Sequence, residues 1–238
     1  MLMRECEVAI VGGGPAGMVA ACLLARGGAS VLVLEQNADF SREFRGEILQ
    51  PRFQQAMRDC GLYEHLQGCP HEEIDGTHIY FQGLRVGGVD ASWLDRKNPA
   101  IWWMTQPNLL SGLHAYARQF TGYEIWFDSK VTTLSSDRTL TVRRNGEACT
   151  VRAKVIIGAD GRFSTISRLG GFVKSYDHHD LDVIWFLLER PKTYHHYFSF
   201  FLGWREPFLI LPKHPHHLQC GMVFRPGAFQ KIRDQGID

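Results

Sequence analysis

The sequence predicts an α/β protein in which a parallel-sheet domain is interrupted by an antiparallel sheet. Two patterns carry that expectation. In the first part, short apolar runs such as Glu7 to Val11 and Ser30 to Leu34 alternate with stretches of helical periodicity, the signature of strands buried on both faces. After Lys174 the chain becomes strand after strand: DVIWFLLE, YHHYFSFF, PFLILP and LQCGMVF.

Taken in order, the Glu7 to Val11 strand feeds a glycine cluster and then a helix with Ala16, Val19, Ala20, Leu23 and Leu24 at helical spacing. Gly27 and Gly28 stop that helix, and a second buried strand ends on Glu35. Pro51 opens another helix with a stripe of Phe53, Ala56, Met57 and Cys60, closed by Gly61. From Ile74 the pattern shifts to short alternating strands with glycines between them. A helix after Pro107 buries Leu109, Leu110, Leu113, Ala117 and Phe120, and the strand YEIWF follows it. Asn145-Gly146 supplies the positive-φ pair of a tight hairpin between Thr139–Arg144 and Glu147–Arg152. That hairpin runs into the buried strand Val155-Ile156-Ile157 and the turn Gly158-Ala159-Asp160-Gly161. The expected organisation is 1–73 and 104–175 in the first domain, with 74–103 and 176–238 in the antiparallel sheet.

Composition narrows the partners. Lys plus Arg is 26 against 25 for Asp plus Glu, so no basic field draws in nucleic acid or an acidic membrane. The six cysteines contain no CxxC pair, which favours reduced thiols in a cytoplasmic protein. The run from Val8 to Ala25 is broken by glycines and Pro15, and nothing else approaches the ~20 apolar residues of a membrane span. Seven late histidines (His178, His179, His195, His196, His214, His216 and His217) lack partners at zinc-like spacing, so no metal site is expected.

Gly12, Gly14 and Gly17 form G-x-G-x-x-G between a strand and a helix, the fingerprint of a Rossmann dinucleotide site. The first glycine permits the tight turn. The second lets a pyrophosphate approach the backbone, and the third lets helix and strand pack closely. Glu35, at the end of the next strand, is placed to accept both ribose hydroxyls, and an acid there disfavours a 2′-phosphate. Pro15, Ala16 and Gln36 flank these positions and are candidate contacts. The fingerprint alone does not separate NAD from FAD.

Gly158-Ala159-Asp160-Gly161-Arg162-Phe163-Ser164 resembles the DG motif of the class A flavoprotein monooxygenases, the para-hydroxybenzoate hydroxylase-like family. An Asp-Gly turn ahead of a helix also serves as an ordinary cap. Arg42 to Pro51 (REFRGEILQP) is similar to the family's segment after the ribose-binding acid. The resemblance implies FAD as the cofactor, with Arg45 reaching its phosphates and ribityl chain. It also implies Gln106 on the ribityl hydroxyls, Val131 near the adenine, and Asp160 and Gly161 near the phosphates. It further implies NADH or NADPH as electron donor and molecular oxygen as co-substrate, with a flavin hydroperoxide hydroxylating an aromatic or apolar small molecule. The fold it implies is a Rossmann-type FAD-binding domain with an inserted antiparallel β-sheet substrate domain.

Two departures temper the likeness. The arginine expected seven residues past Asp160 is replaced by Ser167, with Arg168 one place later. The family's late Gly-Asp segment is absent, so the expectation is a fold incomplete at the C-terminus. No W-x-W-x-I-P segment supports a halogenase. Two alternatives therefore stand beside the monooxygenase: a flavin reductase or dehydrogenase on the same scaffold, and a truncated, non-catalytic FAD-binding fragment.

Overall fold

The computed structural model describes residues 3–41, 47–94, 96, 100–175, 177, 181–194, 196–213, 216–234 and 236. The first half forms β1 (Met3–Val11), α1 (Pro15–Arg26), β2 (Val31–Leu34), β3 (Ile48–Leu49), α2 (Pro51–Asp59), α3 (Tyr63–Gln67), β4 (Glu72–Ile74), β5 (Gly76–Phe81), β6 (Leu84–Asp90), α4 (Ala91–Leu94), β7 (Ile101–Trp103) and α5 (Gln106–Ala117). The second half forms β8 (Tyr123–Trp126), β9 (Ser129–Leu134), β10 (Thr139–Arg144), β11 (Glu147–Gly158), α6 (Thr165–Leu169), β12 (Asp182–Glu189), β13 (Tyr197–Leu202), β14 (Phe208–Lys213), β15 (His217–Phe224) and α7 (Ala228–Asp234). Contacts divide the chain into two compact units.

The first unit comprises Met1–Arg45, Glu64–Cys69 and Thr105–Ser175. Its sheet has the order β8-β2-β1-β11-β10-β9. The pairs β8·β2, β2·β1 and β1·β11 are parallel, while β10 and β9 add on as an antiparallel meander. The Asn145-Gly146 turn forms as expected, with φ of 49° and 85°. It leads into one unbroken strand, β11, rather than a hairpin followed by a separate strand. Val155 in that strand is 52% exposed, so the run is not buried on both faces as its composition suggests.

Helix α1 turns a different stripe inward from the expected one. Gly17, Met18, Ala21, Cys22 and Ala25 are buried, whereas Ala16 is exposed at the helix mouth. Small residues let the helix lie close to its neighbours, and the Cys22 thiol donates to the Leu113 carbonyl of α5 at 3.2 Å. Burial pushes that thiol up to about 12. Phe120 falls beyond the end of α5, which stops at Ala117.

The second unit comprises Gly46–Tyr63, Pro70–Met104 and Tyr176–Asp238. Its larger sheet has the order β12-β15-β14-β13-β5-β6. The early β5 and the late β13 lie side by side and parallel, so two distant stretches of chain build one sheet. A small sheet, β3-β7-β4, supplies Ile74, Ile101 and Trp103 to a core shared with Leu211 of β14. Residues 46–63 group here because β3 pairs with β7 and the Gln54 side chain donates to the Ala100 carbonyl at 2.7 Å. That bond explains why polar Gln54 is buried on α2 while Ala56, expected in its apolar stripe, is exposed. Of the late histidines, His196, His216 and His217 are exposed; His178, His179, His195 and His214 lie outside the described residues.

Candidate functional site

The register of the parallel strands determines where chemistry collects in the first unit. Val11 pairs with both Leu34 and Gly158, so β1, β2 and β11 end level with one another. The residues one step further, Gly12, Glu35 and Ala159, therefore meet at the carboxyl edge, where open α/β sheets place ligands. A cavity of about 300 Å³ opens there, lined in part by Gly12, Gly14, Pro15, Ala16, Glu35 and Asp160. That is the lower end of the ~300–1,000 Å³ that ligand pockets span, room for part of a dinucleotide.

Two backbone crossings shape the glycine turn. Gly12 holds φ of 105°, and a Cβ there would clash with the Ala159 carbonyl. A Cβ on Gly17 would strike the Gly12 carbonyl. Gly14 is the N-cap of α1 and offers no side-chain cap, so the first N–H groups of the helix remain available at the cavity wall.

Glu35 is 1% exposed, and its carboxylate accepts from both main-chain and side-chain donors. Its Oε2 accepts from the Gly13 N–H at 2.7 Å, and its Oε1 accepts from the Asn37 N–H at 2.9 Å and the Asn37 Nδ2 at 2.7 Å. Its main chain is clamped as well: the Glu35 N–H donates to the Trp126 carbonyl, and its own carbonyl accepts from the Ser129 N–H, both at 2.8 Å. The acid thus ties β2, β8, β9 and the glycine loop together at one wall of the cavity.

Asp160 faces the same cavity but spends its carboxylate on α6. Its Oδ2 accepts from the N–H groups of Thr165 and Ile166 at 2.6 and 3.1 Å, and its Oδ1 accepts from the Ser164 hydroxyl. Ser164 in turn caps the Ser167 N–H at 2.9 Å. The Asp-Gly turn therefore works as a cap while lining the cavity, and Arg168 is exposed in the last turn of α6.

Gly161, Gln36 and Val131 also line this cavity, along with Ser129, Lys130 and Thr165, which the sequence reading did not single out. Ser129 to Leu134 is a strand with only a short apolar pattern, so its polar residues gave no signal. Asn37 was missed for a similar reason, since an amide two residues past an acid is an ordinary loop residue. Gln106 opens α5 behind its Thr105 cap and lies outside the cavity. Arg45 lies outside the described residues.

These residues fit the ADP half of a dinucleotide. An uncapped helix N-terminus, a glycine turn with no room for a side chain, and a buried acid share one cavity. Residues 5–204 match the family described as FAD binding domain. The chain belongs to that family. This FAD binding domain is 30% identical over 240 residues to the 6-methylpretetramide 4-monooxygenase of Streptomyces rimosus, covering 97% of the chain and 56% of that relative. It is 29% identical over 179 residues to the 2,4-dichlorophenol 6-monooxygenase of Delftia acidovorans, covering 68% of the chain and 30% of the relative. Its fold is similar to that of the p-nitrophenol 4-monooxygenase of Pseudomonas putida DLL-E4, with a TM-score of 0.84 at 19% identity, covering 99% of the chain and 62% of that structure. The resemblance to class A flavoprotein monooxygenases is thus borne out, and the chain spans little more than half the length of the first of these relatives. Among the described residues, no helix is long and apolar enough to cross a membrane.

Proposed function

We propose that the chain is the cofactor-holding part of an NADH- or NADPH-dependent flavin monooxygenase that uses molecular oxygen to hydroxylate an aromatic or apolar small molecule. The observation that carries this reading is the cavity at the strand ends, where buried Glu35 and the uncapped start of α1 stand together. Glu35 would hold the ribose, the N–H groups opening α1 would hold the pyrophosphate, and Val131 would lie against the adenine. Asp160 and Gly161 would shape the phosphate wall, with Gly12, Gly14, Pro15, Ala16, Gly17 and Gln36 completing the cradle. Arg45 and Gln106 would serve the flavin end. When bound, the flavin supplies the redox and oxygen chemistry, and the chain's own work is to grip, orient and shield it. Three buried cysteines, Cys22, Cys149 and Cys220, support a reducing compartment, the cytoplasm.

The experiment is to load the purified protein with FAD and follow NADH or NADPH oxidation with and without phenols. Retained yellow flavin, pyridine-nucleotide oxidation stimulated by a phenol, and a hydroxylated product support the reading. Flavin lost on gel filtration, or nucleotide oxidation without oxygen consumption, would overturn it.

A further inference from the structure

Asn37 is bonded to two walls of the cavity at the strand ends of the first unit, although it is not among the described residues that line it. It stands two residues past Glu35, in the bend that follows β2, and is itself exposed. Its Nδ2 donates to Glu35 Oε1 at 2.7 Å, and its own N–H donates to the same oxygen at 2.9 Å. One residue thus grips one carboxylate oxygen twice, while the Gly13 N–H holds the other at 2.7 Å. A carboxylate offers about four acceptor positions, and which of them face a ligand depends on how the group is turned.

The same residue reaches a second wall through its main chain. The Asn37 carbonyl accepts from the Asp128 N–H at 3.0 Å. Asp128 takes a positive φ of 49° in the turn between β8 and β9, and the residues after it, Ser129, Lys130 and Val131, line the cavity. Hydrogen bonds to an ionised acceptor are roughly twice as strong as neutral ones, so the Asn37 amide is a firm constraint on the acid it touches. Any effect of Asn37 on a bound nucleotide therefore passes through Glu35 and the start of β9.

We propose that Asn37 is a positioning residue: it turns the Glu35 carboxylate toward the hydroxyls of a ribose, and so sets the preference of the cavity for ribonucleotides over nucleotides that lack those hydroxyls. The assignment rests on the proposed cofactor reading, in which Glu35 holds the ribose of the ADP half. Hydrogen bonds weaken steeply as their angle departs from linear, so the worth of a hydroxyl-to-carboxylate bond depends on alignment. An acid held by main-chain N–H groups alone keeps its place but gains freedom to rotate. Loss of the Asn37 amide therefore costs the ribose contacts more than the phosphate contacts, which that reading gives to the N–H groups opening α1.

The test is calorimetric titration of the cofactor-free protein with ADP and with its 2′,3′-dideoxy analogue. The parent should bind ADP more tightly than the analogue. Asn37→Ala keeps the main-chain bonds and should shrink that preference about three- to tenfold, the worth of one hydrogen bond, with the analogue bound as in the parent. A merely structural role would weaken both nucleotides together and leave the preference unchanged. Asn37→Asp adds a second signature, because its introduced carboxylate repels Glu35 until the pair takes up a proton and regains a donor. Its shortfall in ADP preference against the parent should be large at about pH 8 and shrink toward about pH 5. An Asn37→Ala protein with the parent's preference, or an Asn37→Asp shortfall that does not move with pH, overturns the positioning role alone. A parent that binds both nucleotides alike, or neither, overturns the cofactor reading and this proposal with it.

Discussion

The backbone N–H of Gly13 donates to Oε2 of Glu35 at 2.7 Å, so the acid that follows β2 is bonded to the loop that follows β1. An acid read from sequence as a ribose ligand therefore also shapes the phosphate loop. Glu35→Ala removes the acceptor for Gly13 and for Asn37 in a buried place. It should cost about 1–3 kcal/mol of stability in the absence of cofactor, together with a loss of FAD affinity. Glu35→Gln keeps one carbonyl oxygen and should recover part of both. Urea unfolding of the cofactor-free protein and fluorescence titration with FAD measure the two effects separately. An Ala variant as stable as the parent would show that the bond to Gly13 contributes nothing.

Gly12 and Gly146 separate two reasons for needing glycine. Both have positive φ, 105° and 85°, but a Cβ on Gly12 meets the Ala159 carbonyl while Gly146 faces open space. Gly146→Ala should cost only the left-handed conformation, about 1–2 kcal/mol. Gly12→Ala must also push β1 and the Ala159-Asp160 turn apart, so it should cost more than about 3 kcal/mol and abolish FAD binding. Thermal unfolding of both variants checks the order. Equal losses would mean that the close approach to Ala159 is unimportant.

How far the sequence discloses this site depends on the range of each interaction. The glycine fingerprint, Glu35 and the Asn145-Gly146 turn were legible because their geometry is local: a turn, a helix start and a strand end a few residues apart. The meeting of Gly12 with Ala159 was not, since it depends on β11 pairing with β1 across more than a hundred residues of chain. The buried face of α1 was misjudged because Ala and Cys look no more apolar than Val and Leu, and only contact with the sheet and α5 selects the small residues. The antiparallel sheet was visible as a run of strands. The parallel contact of β5 with β13, which joins two distant stretches of chain in that sheet, leaves no trace in periodicity.

Asp160 is committed to the first turn of α6, and its removal should be felt there first. Asp160→Ala leaves the N–H groups of Thr165 and Ile166 without their acceptor and should cost about 0.5–2 kcal/mol, the range for loss of a helix cap. Asp160→Asn retains an acceptor oxygen and should lose less. If Asp160 served only the cofactor, the cofactor-free stability of both variants would match the parent. Denaturant midpoints with and without FAD distinguish the two roles.

His114 gives the first unit a predictable response to acid. It lies in α5, its Nδ1 is 2.8 Å from the Tyr123 hydroxyl, and burial, with Arg118 adding to it, holds it below its ordinary value of 6.5. Because the folded value lies below the unfolded one, the unfolded chain takes up the proton more readily, and stability rises with pH between the two. The contribution is fully present above about 6.5. Its loss begins as the pH falls through that point and levels off once the pH is below the folded value. His114→Gln keeps a hydrogen-bonding side chain beside Tyr123 but does not titrate. Urea midpoints measured from about pH 8 to pH 5 should therefore fall less steeply in the variant than in the parent. Carboxylates and the other histidines titrate in both proteins, so the difference between the two curves belongs to His114. Parallel curves would show that its proton affinity does not change on folding.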